Sequence, residues 1–304
     1  GLGEWMRDLD AAGVPFFLKS ADHAGPIFEA QELMKRSGVP HTLVFRRTGR
    51  EFDVPNYELP PAEAARIHWE RHLNTFPPEL DKRYVWLETV NEVDKNRTDW
   101  LAEFAIETAK LALRDGYKWA AFGWSSGEPE PFHWESPRML AFLRLVAQYP
   151  DQLAIGLHEY SYTKQAVGNM YPYLIGRFQH LFQICDKNNI PRPTVFITEW
   201  GWEYQNIPIP EQAMEDIRWA AWLYAAYPQV KGAALWYLGG YFGTIDQQAQ
   251  KLIMPMRDYS LTHYFGVTPG QGSINTELFT PQTDPRIGPD QWPDKRPFSL
   301  GTPQ

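Results

Sequence analysis

The sequence predicts a parallel α/β barrel, a (β/α)8 TIM barrel whose first strand is missing from the chain as given. Three observations lead there. Strand-like apolar runs alternate with helix-like amphipathic runs from residue 16 to residue 238, the pattern of successive βα units in a parallel sheet. The strands read as near-continuous apolar stretches, as expected where helices cover the outside of a sheet and the barrel interior covers the other face. No composition break comes before about residue 255, so residues 1–257 form one barrel domain. Residues 258–304, rich in Pro, Gly and polar residues without a period, are expected as an irregular tail packed on it,.

In order, the chain opens with a helix over residues 4–12, stopped by Gly13 and Pro15,. FFLKSA, 16–21, is the first strand, and a helix over 25–37 ends at Gly38 and Pro40,. HTLVFRR, 41–47, follows as a strand, then a loop with Gly49 and Pro55, and then a helix over 62–73,. The next strand belongs to YVWLETVNEVD, 84–94. Beyond Thr98 and Asp99, which suit a cap, a helix places Leu101, Phe104, Ala105, Leu111 and Ala112 on one face until Gly116,. KWAAFGW, 118–124, is a strand, and Ser136 with Pro137 opens a helix,. LAIGLHEY, 153–160, is a strand, followed by a helix over 172–187 and a strand that ends at Glu199. A Trp-rich helix over 211–226 and a strand over 230–238 complete the pattern. That makes seven strands, and because a helix precedes them the empty position is the first of eight,.

Composition narrows the function. A net charge of -8 argues against nucleic acid, whose backbone is held mainly by clustered Lys and Arg,. No apolar run approaches the roughly 20 residues that span a bilayer. The single Cys185 excludes an intrachain disulfide and a cysteine-built metal site, and suits helix packing,. His68 and His72 stand four apart on a helix without a third ligand, so they read as a solvated pair, and neither metal nor cofactor is expected,. The 13 Trp, 15 Tyr and 17 Phe exceed what a core alone takes, and flat aromatic faces are platforms for the apolar faces of sugar rings,.

The chemistry lies at two strand ends. Tyr84 to Leu87 suit a buried strand that turns polar at Glu88, Asn91 and Glu92, and Val195 to Ile197 suit another that stops at Glu199,. Two strands that each deliver a glutamate to one face of a barrel supply what a two-carboxylate glycosidase needs. Glu88 lies roughly 13 Å below Glu92 along an untilted strand, so it should be buried and needs a cation, Arg46 or, failing that, Arg47.

With the first visible strand taken as the second of eight, Asn91 and Glu92 end strand four, His158 and Tyr160 end strand six, Glu199 ends strand seven and Trp236 ends strand eight. This arrangement, with the E-x-x-N-E spacing of Glu88, Asn91 and Glu92, resembles the clan A glycoside hydrolases and most closely family 5, which holds cellulases, mannanases and other β-glycanases. The resemblance covers residues 16–240 in architecture. It implies a retaining enzyme with Glu92 as acid/base and Glu199 as nucleophile, Asn91 on the sugar 2-hydroxyl, Tyr160 orienting Glu199, His158 near Glu92 and Trp236 flooring the reactive subsite. The charge of Glu199 should raise the pKa of Glu92, keeping it protonated for its acid role. Arg46 and His23 are possible matches to an early-strand arginine and histidine of the family. The implied partner is a β-linked oligo- or polysaccharide, with Trp124, Trp134, Trp202, Tyr204, Tyr241 and Phe242 as stacking platforms in the strand-end loops. An extracellular location is favoured if that substrate is a polysaccharide, although the chain as given carries no signal peptide. Two rival readings use the same residues: a non-catalytic carbohydrate-binding barrel, disfavoured because both carboxylates are present, and a barrel enzyme of unrelated chemistry with the glutamates in structural ion pairs.

Overall fold

The computed structural model describes residues 1–240 and 242–263. Helix α1 (Leu2–Ala11) is followed by strand β1 (Phe17–Ala21), α2 (Gly25–Ser37), β2 (Thr42–Arg46), a short α3 (Arg50–Asp53), α4 (Pro61–Thr75) and β3 (Val85–Glu88). The chain continues through α5 (Thr98–Asp115), β4 (Lys118–Trp124), α6 (Pro137–Ala147), β5 (Leu153–Tyr160), α7 (Phe178–Lys187) and β6 (Thr194–Gly201). It ends, within the described residues, with α8 (Pro210–Ala225), β7 (Val230–Leu235), α9 (Ile245–Gln250) and α10 (Ile253–His263). The seven strands form one parallel sheet in sequence order, the TIM-type α/β barrel expected from the alternation. Residues 1–15 contain α1 and no strand. Of the irregular tail expected over 258–304, residues 258–263 instead continue helix α10, and the rest lies outside the described residues, as does Tyr241.

The apolar strand runs fold this way because both faces of β2 to β6 are covered. Val44, Trp86, Ala120, Ala154 and Phe196 point to the barrel interior and form a core of their own, with Phe17 packed against it. Trp86 and Phe196 meet edge to face at 4.7 Å. The opposite face of the sheet packs on the amphipathic helices, with Leu101, Phe104, Ala105 and Ala112 of α5 all buried. The two outer strands differ: β1 is half-buried along its length, and β7 has an exposed Lys231 and is half-buried from Gly232 on. No ladder joins β7 to β1 among the described residues, yet the strands touch where a Cβ built on Gly232 would lie 2.5 Å from Cβ of Phe17. Only glycine permits that approach. Beside this seam a cavity of about 940 Å³ opens between the two strands and helices α1, α8 and α10, lined by Trp5, Phe17, Ala233, Leu235, Met256 and Tyr259 among others.

Four local expectations are corrected. The helix expected over 172–187 begins only at Phe178. Gly176 adopts φ 86°, and Glu159 of β5 accepts hydrogen bonds from the Gly176 and Phe178 amides, so the chain enters α7 through a turn tied to the sheet. The strand expected over 230–238 stops at Leu235. The loop after β2 contains the short α3, whose backbone carbonyl at Phe52 accepts from Nε2 of His68 at 2.6 Å. His68 and His72 are therefore buried, not solvated, and burial pushes their pKa values down to about 4 and about 3. Cys185 is buried in α7, as the packing reading expected.

Candidate active site

The carboxyl ends of β3, β5 and β6 converge. Beyond Glu88 the chain leaves the ladder, and its path is fixed by two backbone hydrogen bonds: the Asn91 amide donates to the Asp53 carbonyl at 3.0 Å, and the Glu92 amide to the Gly123 carbonyl at 2.8 Å. Glu92 adopts φ 48°, a left-handed conformation that costs a non-glycine residue about 1–3 kcal/mol and persists where surrounding structure enforces it,. Gly123, at φ 53°, leaves room for this path, since a Cβ there would lie 3.2 Å from the Val90 carbonyl. Strands β5 and β6 are paired so that His158 stands beside Glu199, after a register shift between Leu157 and His158.

His158 joins the two glutamates. Its Nδ1 lies 3.2 Å from Oε1 of Glu92 and 3.6 Å from Oε2 of Glu199. Those two oxygens therefore lie within about 7 Å of each other, the most that the two legs allow. Glu199 is held on both oxygens: Tyr160 donates its hydroxyl to Oε2 at 2.7 Å, and Nζ of Lys19 lies 3.3 Å from Oε1. Burial, the largest single influence, pushes the Glu199 pKa up. The combined attraction of His158, Lys19 and Arg46, with the Tyr160 hydrogen bond, outweighs it and brings the group down to about 2. Glu199 is thus an ionised carboxylate over the whole useful pH range.

Glu92 departs from expectation. The hydrogen bond from His158 is the largest influence and holds its carboxyl below the usual value, against desolvation and against the charge of Glu199. The repulsion that should have raised Glu92 is present, but a direct hydrogen bond at 3.2 Å outweighs a charge beyond it. Its side chain is 47% exposed, which also limits the desolvation that would favour the neutral acid,.

Beneath this pair, Glu88 is fully buried and paired, as its position in the strand required. Arg46 contributes, with Nε 3.9 Å from Oε1 of Glu88 and Nη1 3.5 Å from Oδ1 of Asp53. Arg47 does not; it donates to the carbonyls of Thr75 and Asp22. The nearest cation is Lys19 of β1, 2.7 Å from Glu88 Oε1, which the sequence reading missed. The available signal was a single lysine in the mostly apolar strand FFLKSA, in phase with inward-facing Phe17,.

No family model and no curated protein matches the sequence. Among solved structures the chain is similar to an endo-β-1,4-glucanase from Xanthomonas axonopodis pv. citri carrying a triple mutation, at 13% identity over 85% of this chain and 90% of that one, with a TM-score of 0.49. It is also similar to XacCel5A, at 14% identity over 85% and 89% of the two chains with a TM-score of 0.48. A β-mannanase from Streptomyces thermolilacinus, solved with mannohexaose, has 14% identity over 84% of each chain and a TM-score of 0.39. None of these likenesses bears on which residues react.

The aromatic residues divide by burial. Trp236, just beyond β7, lies with its ring 6.4 Å from that of Tyr160, edge to face, and nearly parallel to Tyr204 at 6.4 Å. Tyr204 is 66% exposed, and Phe242 packs against both. Three expected platforms are corrected. Trp124 and Trp134 are buried and pack on each other and on Phe122, and Trp202 is buried with its Nε1 donating to Asp216 at 2.7 Å. Trp124 ends an inner stretch of β4, and Trp202 follows β6 directly beneath α8, so neither offers a face to a ligand. Asn91 Oδ1 is buried and has no hydrogen-bond partner within the protein. Among the described residues no group of three or more His, Cys, Asp or Glu side chains could hold a metal ion, and no helix is long and apolar enough to cross a membrane.

Proposed function

We propose that this chain is a retaining glycoside hydrolase of the family 5 kind, cleaving β-linked glycans by double displacement with Glu199 as nucleophile and Glu92 as acid/base. The observation that carries the reading is the bridge through His158 Nδ1, which keeps one carboxylate ionised and deeply held within reach of a second that is open to solvent. In the first step an oxygen of Glu199 bonds to the anomeric carbon as the glycosidic C–O bond breaks, and the leaving oxygen takes the proton of Glu92. Glu199 is then a neutral ester. In the second step Glu92, now ionised, accepts a proton from water as that water attacks the anomeric carbon and frees Glu199. His158 and Tyr160 orient the two carboxylates, and Asn91 offers a polar side chain for the sugar 2-hydroxyl. Trp236 forms the floor of the reactive subsite. Tyr204, lying nearly parallel to Trp236, extends the surface to a neighbouring sugar ring, which favours a chain of β-linked sugars over a single terminal one,.

A panel of β-linked polysaccharides and aryl β-glycosides tests the proposal. Turnover of at least one substrate, lost in Glu199→Gln while the thermal transition is preserved, is the expected result. Absence of turnover across the panel, or an undiminished rate in Glu199→Gln, would contradict it.

A further inference from the structure

The proposed chemistry removes a negative charge from the barrel interior each time Glu199 becomes an ester, and Lys19 lies beside that charge. Its ammonium is nearly buried, with a side chain only 7% exposed, and contacts two carboxylates: Oε1 of Glu88 at 2.7 Å and Oε1 of Glu199 at 3.3 Å. Resting on the reading above, we propose that Glu88 and Lys19 form a positioning pair for Glu199. In this pair Glu88 steers the Lys19 ammonium onto one oxygen of the ionised nucleophile and keeps that ammonium neutralised while the nucleophile is esterified.

Three features support the pair. First, a buried cation with a single partner is left uncompensated when that partner loses its charge, a strongly unfavourable state. Glu88 is fully buried and closer to Lys19 than Glu199 is, so the ammonium keeps a counter-charge throughout the cycle. Second, an ammonium devoted to Glu199 alone would stabilise the carboxylate more than the transition state in which its charge is dispersing, and so slow attack. Sharing it with Glu88 lessens that ground-state hold. Third, each oxygen of Glu199 has its own donor, Oε1 from Lys19 and Oε2 from Tyr160, which restrains rotation of the carboxylate. The charged and titratable groups facing Glu199 are Lys19 from β1, Arg46 from β2, Glu88 at the end of β3, Glu92 beyond it, and His158 and Tyr160 from β5.

Steady-state kinetics against pH on an aryl β-glycoside, with Lys19→Met, Lys19→Arg and Glu88→Gln beside the unaltered protein, test the pair. Lys19→Met should move the acidic limb of kcat/KM upward by about one pH unit or more, and Lys19→Arg should restore it. Glu88→Gln should lower kcat about tenfold or more with KM held within a factor of about two, the signature of a loss confined to the transition state. An acidic limb unmoved in Lys19→Met, or rates that fall only in proportion to folded fraction, would make the pair a structural salt bridge and overturn the inference. Should either variant fail to fold, Glu88→Asp keeps the charge while drawing the carboxylate back by one methylene. Lower kcat at constant KM in Glu88→Asp supports the pair, and unchanged kinetics overturn it. Glu199→Gln run in parallel separates the two levels. If it retains turnover, the nucleophile assignment falls and this inference with it; if it is inactive while the pair variants leave limb and kcat in place, only this inference falls.

Discussion

The hydroxyl of Tyr160 donates to Oε2 of Glu199 at 2.7 Å, from a phenol whose own ionisation is pushed well above its ordinary range by burial and by the carboxylate beside it. Tyr160 is therefore a neutral donor at every working pH. Hydrogen bonds to a charged group contribute about 1.5–3 kcal/mol, so Tyr160→Phe should lower kcat by roughly tenfold to a hundredfold. Comparing kcat with the melting temperature of the same variant checks this: a fall in melting temperature with kcat unchanged would assign the tyrosine to packing.

The lowered pKa of Glu92 has a kinetic consequence. If Glu92 supplies the leaving-group proton, the alkaline limb of kcat/KM in the free enzyme should lie on the acidic side of the ordinary carboxylate value, because His158 stabilises the ionised form,. Replacing that donor should reverse the effect. In His158→Ala the alkaline limb should move to higher pH, and a limb that moves lower or stays in place would contradict the assignment of His158 as the cause.

Glu159, between the two site residues of β5, is wholly buried and accepts from the amides of Gly176 and Phe178 and from the hydroxyl of Tyr224. Burial, only partly offset by these donors, raises its pKa from 4.5 to about 7. A raised carboxylate binds its proton more tightly in the folded state, so its contribution to stability is complete below pH 4.5 and is lost as pH rises through about 7,. The loss is about 3 kcal/mol by linkage. Denaturant unfolding from pH 4.5 to pH 8 should show that decline in the unaltered protein and a flatter profile in Glu159→Gln. Equal slopes in both would remove Glu159 as the source.

Two aromatic residues of the same mouth should behave oppositely. Tyr204→Ala removes an exposed ring and should leave the melting temperature nearly unchanged while raising KM for oligosaccharides more than for aryl glycosides,. Trp202→Ala removes a buried ring and takes from Asp216 the donor to its Oδ2, while Oδ1 keeps the Val167 amide and Gln212, so it should cost about 3–5 kcal/mol of stability, most of it from the lost ring,. Denaturant unfolding and KM measured on both substrates decide the contrast.

Much of this was legible in the sequence because each signal was local. The run KWAAFGW becomes β4 over the same residues, LAIGLHEY becomes β5, and Ser136 caps α6 through its contact with the Met139 amide. The strand-end pattern also located the positions of Asn91, Glu92, His158, Tyr160 and Glu199, since residues at the carboxyl ends of parallel strands share one face of a barrel. What was not legible depends on neighbours distant in sequence. Lys19 reaches Glu88 across 69 positions and Glu199 across 180, and no spacing rule connects them. Trp124 and Trp202 resemble Tyr204 as loop aromatics, and only the packing of Trp134 and Asp216 against them separates core from surface. The late start of α7 depends on Glu159, whose role as acceptor for the turn appears only when β5 and that turn are packed together.

The measurement that tests the central claim most directly is proton magnetic resonance of the first product formed from a β-linked substrate, recorded before mutarotation. If Glu199 attacks the anomeric carbon and water then displaces it, as proposed, the configuration is inverted twice and the first-formed product should be the β anomer. An α anomer appearing first would mean a single displacement with inversion, and would contradict Glu199 as the attacking group.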